Sequence, residues 1–249
     1  MDQNSQGSSS SSPRKTLASA KSRYRAPFVE EVMPFKDRSD AGRQLAKALA
    51  SYKEERPIIL ALPRGGVPVA GEVAAVVSAP VDLILVRKIG VPWQPELAMG
   101  AVVDGGTPII VRNEDVIRHA GIDESEFNTV RDGELAEIGR RRQRYLGSCQ
   151  LADLSGHTAI VIDDGIATGA TARAALRATR MRNLKRLVLA VPVAPTDTIN
   201  ELRSQADDVV CLEGLECFGA IGAYYADFGQ VSDEEVIDML MRFRRGSNM

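Results

Sequence analysis

Two adjacent acids, Asp163 and Asp164, lie between a hydrophobic segment and a loop rich in glycine and threonine. The segment TAIVID (158–163) is a short apolar run, as expected for a strand that is buried on both faces. The loop after the acids offers consecutive backbone N–H groups, two hydroxyls and the start of a helix, which together suit a terminal phosphate. The carboxylates suit sugar hydroxyls or a divalent cation, so the pattern predicts a ribose 5-phosphate site rather than a plain acidic strand end with a helix cap. The loop residues are Ala167, Thr168, Gly169, Ala170 and Thr171.

A second loop with glycines, LPRGGVPVA (62–70), follows the predicted strand PIILAL (57–62). Gly65 and Gly66 allow a tight turn whose N–H groups can face an oxyanion, and Arg64 adds a fixed positive charge. Ligands of open α/β sheets bind at the carboxyl ends of the strands, where both loops are predicted to lie. Taken alone, this second loop is equally typical of an ordinary strand-to-helix turn.

Two neighbouring cations, Arg87 and Lys88, are predicted at the end of the next strand, VDLILV (81–86). Cations at that place would stabilise the negative charge of a departing diphosphate. The alternative is a solvated basic pair that takes no part in chemistry.

The elements that must position these residues alternate between strand and helix along the chain. The predicted fold is α/β, with a doubly wound, mainly parallel five-stranded sheet and helices on both of its faces. An added hairpin over 98–111 and a small C-terminal hood at about 214–230 complete it. Strands are predicted at 57–62, 81–86, 158–163, 187–193 and 208–213. Helices are predicted after an N-cap at Ser39, at 67–77, at 113–146 with a break at 121–123, at 171–181 and after a capping box formed by Ser232 and Glu235.

Length and composition fit one domain with a basic extension. Of the 249 residues, 44% are hydrophobic and the net charge is −2, so no overall field favours nucleic acid or an anionic membrane. Residues 1–27 are predicted to form a disordered tail, because their serine-rich sequence cannot form a core. Residues 28–249 are expected to form the domain, with a helical insertion at about 112–157.

The three cysteines, Cys149, Cys211 and Cys217, form no C-x-x-C pair, which argues against a secreted disulfide scaffold. No apolar run reaches the roughly 18 residues that span a bilayer. The N-terminal residues also lack the apolar region of a secretory signal. We therefore expect a cytoplasmic protein with no membrane partner.

The sequence IVIDDGIATGAT (160–171) resembles the signature for 5-phosphoribosyl-1-diphosphate (PRPP) in type I phosphoribosyltransferases. The resemblance extends over nearly all of residues 35–243 and implies that the acid pair binds the ribose 2- and 3-hydroxyls, while the loop behind it holds the 5-phosphate. LPRGGVP is similar to the family's diphosphate loop, which implies a non-proline cis peptide at Arg64–Gly65. The implied PRPP-binding residues are Arg64, Gly65, Gly66, Asp163, Asp164, Gly165, Ala167, Thr168, Gly169, Ala170 and Thr171.

The resemblance also implies catalytic residues and a cofactor. Arg87 and Lys88 look like the Arg-Lys pair of the orotate and adenine enzymes. Asp163 and Asp164 would lie close enough to the sugar to favour a positive charge on the ribose ring. Mg²⁺ is expected to bind mainly through PRPP and water, so no metal ligand is assigned to the protein. The family's mobile catalytic loop corresponds to VPWQPELAMG (91–100), which is predicted to be an irregular lid; the alternative for Trp93 is a packing anchor.

The resemblance gives partial information about the acceptor. In the hood, Phe218, Tyr224 and Tyr225 are implied to bind the acceptor base by stacking, although aromatic side chains near a terminus equally often seal a core. The 6-oxopurine enzymes carry a third acid near N7 of the base, where this chain has Ala167. Their lysine that recognises O6 is matched by Pro192, which has no donor. The acceptor is therefore expected to be adenine, a pyrimidine or another heterocycle.

The leading hypothesis is a Mg²⁺-dependent phosphoribosyltransferase of nucleotide and nucleoside metabolism. Its expected partners are PRPP and a small nitrogenous base, and a homodimer is a candidate assembly. The alternative is a sensor of PRPP or nucleotides that binds RNA or DNA, suggested by the basic residues of 1–25 and by GRRRQRYLG (139–147). Glu134 and Glu137 can pair with the latter run along a helix, so no nucleic-acid partner is expected. A PRPP-making diphosphokinase shares the signature, but those enzymes join two such domains.

Overall fold

The computed structural model describes residues 34–104, 108–149, 151–216 and 220–244. Contacts divide the chain into two units, Met1–Val32 and Met33–Met249, and every described residue belongs to the second. The predicted tail at 1–27, the turn residues 105–107 and Phe218 lie outside the described residues, so the expectations for them stay predictions.

Five parallel strands form the main sheet, and all five were expected from the apolar runs. Their spatial order is β2-β1-β6-β7-β8, and every neighbouring pair is parallel. A smaller antiparallel sheet has the order β3-β4-β5. The strands are β1 (Ile58–Ala61), β2 (Val81–Leu83), β3 (Val86–Val91), β4 (Gln94–Val103), β5 (Ile109–Arg112), β6 (Thr158–Ile162), β7 (Arg186–Pro195) and β8 (Asp208–Leu215).

Helices cover both faces of the main sheet, which confirms the doubly wound α/β fold. Ile59 and Ala61 of β1 belong to one apolar cluster, and Ile58 and Leu60 belong to the other. The first cluster includes residues of α1, α2, α4 and α7, and the second includes residues of α5 and α6. The helices are α1 (Arg38–Ala48), α2 (Gly66–Val77), α3 (Glu114–Ala120), α4 (Glu124–Leu146), α5 (Ala170–Arg180), α6 (Thr196–Leu202) and α7 (Asp233–Arg244).

The smaller sheet corrects two expectations. Residues 91–100 do not form an irregular lid, because β3 and β4 pair as a hairpin whose two turn residues are Pro92 and Trp93. Pro95 is tolerated because it lies at the exposed start of β4, and Gly90 allows a close approach: a Cβ atom there would lie 2.4 Å from the carbonyl oxygen of Pro95. Arg87 and Lys88 consequently lie inside β3 and not at the end of β2. The expected hairpin over 98–111 is present as β4 and β5.

The break between α3 and α4 lies where it was expected. Gly121 has a φ of +66°, and Asp123 forms a capping box with Glu126 at the start of α4. In the basic run of α4, Arg140 and Arg141 both pair with Glu137. This pairing agrees with a self-neutralised helix face and weakens the case for a nucleic-acid surface.

The helix ends show one correction. The side chain of Asp37 accepts a hydrogen bond from the N–H of Asp40 at 2.7 Å, so Asp37 and not Ser39 is the N-cap of α1. The capping box at the start of the last helix is present, because Ser232 and Glu235 exchange hydrogen bonds. In the described part of the chain, no helix has the length and apolar content that crossing a bilayer requires.

Candidate functional site

The two predicted loops meet where the strand order of the sheet reverses. β1 and β6 are neighbours, and the chain leaves β1 towards β2 on one side and β6 towards β7 on the other. Open sheets of this kind have a crevice beyond the carboxyl ends of such strands, which is their usual ligand position. The glycine turn, Gly65–Gly66, follows β1, and the acid pair, Asp163–Asp164, follows β6. The topology therefore brings both motifs into one crevice.

The glycine turn packs directly against the acid pair. A Cβ atom on Gly66 would lie 2.6 Å from the carbonyl oxygen of Ile162, and one on Gly65 would lie 2.0 Å from Oδ2 of Asp164. Only glycine leaves room at these two positions. The cis peptide bond is Pro63–Arg64, one residue before the expected position, and Gly65 has helical torsions (φ −60°, ψ −35°) as the N-cap of α2.

The donors of the glycine turn differ from the expected set. The N–H of Gly66 donates to the carbonyl oxygen of Leu62 at 3.0 Å, so it is engaged within the turn. Among the described residues, no protein acceptor binds the N–H groups of Arg64 and Gly65. These two groups, and not that of Gly66, are the donors that an oxyanion in the crevice could use.

Asp164 is fixed through its side chain and its backbone. Nε of Arg38 donates to Oδ2 of Asp164 at 2.7 Å, and each of the two side chains is 12% exposed. The N–H of Asp164 donates to Oδ1 of Asp163 at 2.9 Å. The hydroxyl of Tyr225 donates to the carbonyl oxygen of Asp164.

Asp163 has a different environment from its neighbour. Burial raises the pKa of the Asp163 carboxyl well above its ordinary value, and the adjacent Asp164 carboxylate raises it further. The positive charge of Arg38 opposes this shift but does not cancel it. A carboxyl with a raised pKa is available in its protonated form, in which it can donate as well as accept a hydrogen bond.

The phosphate loop, residues 167–171, turns the chain from the acid pair into α5. Gly169 has a φ of +72° as the N-cap of that helix. The carbonyl oxygen of Thr168 accepts a hydrogen bond from Arg173 at 2.6 Å, which fixes the loop to the helix behind it. A cavity of about 210 Å³ is bordered by residues 163–172 and by Ile221.

The backbone of the phosphate loop is arranged for an anion. Across the described ranges, no protein group accepts a hydrogen bond from five consecutive N–H groups at the start of α5. Free N–H groups at a helix N-terminus, together with the helix dipole, bind phosphates. The five groups belong to Ala167, Thr168, Gly169, Ala170 and Thr171.

Each of the three predicted cations has an acidic partner. Nη1 of Arg64 lies 3.9 Å from Oδ1 of Asp233 at the start of α7. Arg87 donates to Glu134 at 2.6 Å, and Lys88 donates to Glu96 at 2.9 Å. The helical pairing expected of Glu134 with the basic run of α4 is thus replaced by a contact with β3. Lys88 nevertheless borders the same cleft as Thr171 of the phosphate loop, with a volume of about 540 Å³.

The aromatic residues of the predicted hood do not all face the crevice. Tyr225 is 3% exposed, and its ring centroid lies 5.3 Å from that of Phe35 and 4.9 Å from that of Phe228. This arrangement favours the packing alternative for Tyr225, because its ring faces are covered. Tyr224 is half-buried, so base stacking remains an expectation for it.

The residues before α1 and those of the hood are joined through the backbone. The N–H of Phe35 donates to the carbonyl oxygen of Tyr224 at 3.2 Å, and the N–H of Ala226 donates to that of Phe35 at 2.9 Å. The two segments thus form a parallel bridge between Phe35 and Tyr225. The bridge holds the start of α1 beside the acid pair.

Arg38 is the residue of the site that the sequence reasoning missed. It lies 126 positions before Asp164 and belongs to none of the three motifs. Its guanidinium also donates to the carbonyl oxygen of Gly229 at 2.7 Å and lies 3.8 Å from the ring centroid of Phe228. The only sequence signal was indirect, since two adjacent acids at the end of a buried strand require a nearby positive charge.

The crevice does not contain a protein cage for a metal ion. Among the described residues, no group of three or more His, Cys, Asp or Glu side chains could hold one. The acid pair offers two carboxyls, and that of Asp164 is engaged by Arg38. This donor set fits a Mg²⁺ ion bound mainly through phosphate oxygens and water, as is usual for that ion.

Comparison with known proteins identifies the family. The profile of the phosphoribosyl transferase domain matches residues 35–228. Two curated relatives from Mycobacterium tuberculosis strains CDC 1551 and H37Rv, both provisionally named phosphoribosyl transferase, are 45% identical to this chain over 211 residues. The match covers 85% of this chain and 47% of each relative, so the chain spans about half the length of these relatives. The crystal structure of TT1426 from Thermus thermophilus is 40% identical, with a TM-score of 0.75 and coverage of 85% of this chain and 99% of that one. The chain therefore belongs to the phosphoribosyl transferase domain family.

Proposed function

We propose that the protein transfers the 5-phosphoribosyl group of PRPP to a nitrogenous base and releases diphosphate. The observation that carries this proposal is the crevice, in which the glycine turn packs against the acid pair and the acid pair leads into the phosphate loop. PRPP has three matching parts: a diphosphate, a ribose with two free hydroxyls and a 5-phosphate. The order of the three protein segments suits the order of these parts.

Each part of PRPP is assigned to particular groups. The five N–H groups of the phosphate loop and the dipole of α5 bind the 5-phosphate. Asp163 and Asp164 accept hydrogen bonds from the ribose hydroxyls. The N–H groups of Arg64 and Gly65 bind the diphosphate, and the Arg64 side chain adds its charge.

The reaction forms a bond between C1 of the ribose and a nitrogen of the base while the C1–O bond breaks. The diphosphate leaves with the electron pair of that bond, so negative charge grows on it and positive charge grows on the ribose ring. The acid pair, close to the sugar, favours the positive ring. Lys88 and Arg87 stabilise the diphosphate after the β3–β4 hairpin moves so that they exchange Glu96 and Glu134 for the leaving group.

Mg²⁺ fits this scheme as a partner of the substrate. When bound, it neutralises part of the diphosphate charge and so assists the departure of that group. The residues of this chain then hold the sugar and the phosphates in place, and few of them contact the ion.

The acceptor is proposed to be adenine, a pyrimidine or another heterocycle, and not a 6-oxopurine. At position 167, where the 6-oxopurine enzymes carry an acid, this chain has an alanine that cannot accept a proton. Pro192 likewise supplies no donor for O6 of such a base. Ile221, which borders the phosphate-loop cavity, and Tyr224 are the hood residues proposed to contact the base.

The test is diphosphate release by the purified full chain with PRPP and Mg²⁺, against adenine, orotate, uracil, hypoxanthine and guanine. We expect one of the first three to stimulate release, and a kcat/KM for hypoxanthine or guanine well below about 10⁴ M⁻¹s⁻¹. The variant with Asp163→Asn and Asp164→Asn should keep its fold but bind PRPP more weakly, by about 1.5–3 kcal/mol for each lost charged hydrogen bond. Unchanged affinity of that variant in calorimetry, or a wild-type protein that does not bind PRPP, would disprove the proposal.

A further inference from the structure

Arg38 connects three parts of the molecule that meet at the crevice. It begins α1, its Nε binds the carboxylate of Asp164 at 2.7 Å, and its Nη1 binds the carbonyl oxygen of Gly229 at 2.7 Å. The guanidinium also covers the ring of Phe228, 3.8 Å from its centroid. The position of this side chain is therefore fixed by contacts with both the acid pair and the hood.

The contact with Asp164 is an ion pair away from bulk water. Each side chain is 12% exposed, so solvent screens the two charges only weakly. Removing one member of such a pair leaves the other charge without compensation, which is far more costly than losing an exposed pair. The pair therefore has a larger influence on Asp164 than a surface salt bridge would have.

The carboxylate of Asp164 has little freedom to move. One of its oxygens lies 2.0 Å from the position that a Cβ atom on Gly65 would occupy, so the carboxylate fills the space beside the glycine turn. On its other side is Asp163, and two adjacent carboxylates oppose each other's ionisation. Without the cation, repulsion within the pair would favour a turn of the Asp164 carboxylate away from Gly65.

We propose that Arg38 is a positioning residue of the acid pair: its charge opposes protonation of the pair, and its hydrogen bond holds the Asp164 carboxylate against Gly65, so that both carboxyls meet the ribose hydroxyls in a fixed arrangement. The part of this inference that concerns the sugar rests on the proposed function. The part that concerns the ionisation of the acid pair stands on the contacts alone, and it is tested without PRPP.

The groups that face the acid pair come from several elements. Arg38 lies on α1 and Tyr225 lies in the hood. Glu235 of α7 interacts electrostatically with Arg38. Tyr225 is neutral over the range in which carboxyls titrate, because burial raises its pKa above the ordinary value. Arg38 is therefore the positive charge in contact with the acid pair among the described residues.

The decisive variant is Arg38→Gln, which removes the charge but keeps a side chain that can hydrogen-bond. The matched control is Arg43→Gln on the same helix, because Arg43 is 53% exposed and pairs with Asp40 and Glu72 away from the crevice. The first measurement is the pH titration of ¹³C-labelled aspartate carboxyls by NMR in the full chain without PRPP. Asp163→Asn and Asp164→Asn, each made alone, assign the two signals.

The second measurement is PRPP affinity by calorimetry at a fixed pH.

In Arg38→Gln, we expect the acid pair to take up its first proton at a pH at least about one unit higher than in the wild type. We also expect PRPP to bind at least about tenfold more weakly. Arg38→Lys should restore most of the titration but only part of the affinity, because an ammonium cannot bind Asp164 and Gly229 as the planar guanidinium does. Arg43→Gln should change neither quantity.

Each outcome separates the inference from the proposed function. A titration that is the same in Arg38→Gln and the wild type overturns the inference, whatever happens to PRPP. A shifted titration with unchanged PRPP affinity overturns the part that concerns the sugar. A wild type that does not bind PRPP disproves the proposed function, while the titration still decides the ionic part. If Arg38→Gln does not fold, the uncharged variant Arg38→Met takes its place, and the absence of any titration shift in it overturns the inference.

Discussion

The carboxyls of Asp163 and Asp164 are neighbours in sequence but have different environments. Arg38 binds the Asp164 carboxylate, whereas burial and the adjacent charge raise the pKa of Asp163. Both residues follow the end of β6 at Ile162, so the loop backbone, and not strand alternation, determines which neighbours each carboxyl meets. Residue type alone therefore predicts an acid pair but does not predict which of the two carboxyls forms the ion pair and which has the raised pKa.

Gly65→Ala should displace the Asp164 carboxylate, because the new methyl group would lie 2.0 Å from Oδ2. We expect PRPP to bind about tenfold more weakly or worse, equivalent to about 1.4 kcal/mol, with the protein still folded. Calorimetry with PRPP and a thermal melt measure the two effects.

The matched control for this substitution is Gly133→Ala in α4. A Cβ atom on Gly133 meets nothing within 4 Å, so the substitution should leave PRPP binding unchanged and stabilise the helix by about 1 kcal/mol. If Gly65→Ala bound PRPP as tightly as this control does, Asp164 would not be confined by the glycine turn.

The β3–β4 hairpin positions both predicted catalytic cations on one strand. Arg87 and Lys88 are adjacent in β3, both border the cleft that contains Thr171, and each pairs with a different acid. Trp93, at the turn, is 62% exposed and is therefore not a packing anchor. The β3–β4 hairpin therefore has an exposed turn, and its two cations form ion pairs with Glu134 and Glu96. These features suit the movement of the hairpin that the proposed reaction requires.

Lys88→Gln should lower kcat by about 10²-fold, because the diphosphate would lose a cation that acts as its charge develops. Glu96→Gln is the control: Glu96 is 95% exposed, so its pair with Lys88 contributes little to stability, and its loss should leave kcat equal or slightly higher. Steady-state kinetics of both variants with the acceptor that stimulates diphosphate release give the answer. Equal losses of kcat in both would show that the ion pair, and not the free lysine, is what matters.

The sequence predicted the elements whose signal is local. Four strands of the main sheet, β1, β2, β6 and β7, are apolar runs that are almost wholly buried, and the capping box before α7 joins residues three apart. The β3–β4 hairpin was missed because Pro92 and Pro95 suggest irregular backbone, while the pairing that tolerates them depends on Gly90. Arg38 could not be found in this way, because its contact with Asp164 is determined by the packing of α1 onto the sheet and not by spacing.

Glu137 connects the pH dependence of stability to α4. Hydrogen bonds from Arg140 and Arg141 lower the pKa of Glu137 to about 2, from an ordinary value of 4.5. A lowered pKa contributes stability that is present above pH 4.5 and is lost as the pH falls towards 2. Thermal melts between pH 5 and 2 should therefore show a smaller decrease in Glu137→Gln than in the wild type. The opposite order would mean that this pair is already broken in solution.

At the scale of the whole molecule, tyrosine hydroxyls join segments that are distant in sequence. Tyr52 binds Asp208 at the start of β8, Tyr145 of α4 binds Asp233 of α7, and Tyr225 binds the backbone of Asp164. Three of the five tyrosines therefore act as links between elements, and each hydroxyl donates only while it is protonated.

These links predict a loss of stability at alkaline pH. Burial, and then the hydrogen bond to a carboxylate, raise the pKa of Tyr52 and of Tyr145 to about 12 from an ordinary value of 10. A raised pKa contributes stability that is complete below pH 10 and is lost as the pH rises to about 12. Denaturant unfolding between pH 9 and 12 should show this decrease, and Tyr52→Phe with Tyr145→Phe should reduce it. An absorbance titration in which all tyrosines ionise near pH 10 in the folded protein would contradict the prediction.

The parallel bridge between Phe35 and Tyr225 determines when the site can form during synthesis. Residues 224–229 leave the ribosome after every strand of both sheets, because β8 ends at Leu215. A nascent chain can therefore pair its strands while Arg38 still lacks the carbonyl of Gly229 and the ring of Phe228. The crevice is completed last, so a truncated chain that ends near position 215 and has left the ribosome would contain every described strand but lack the hood groups that fix Arg38.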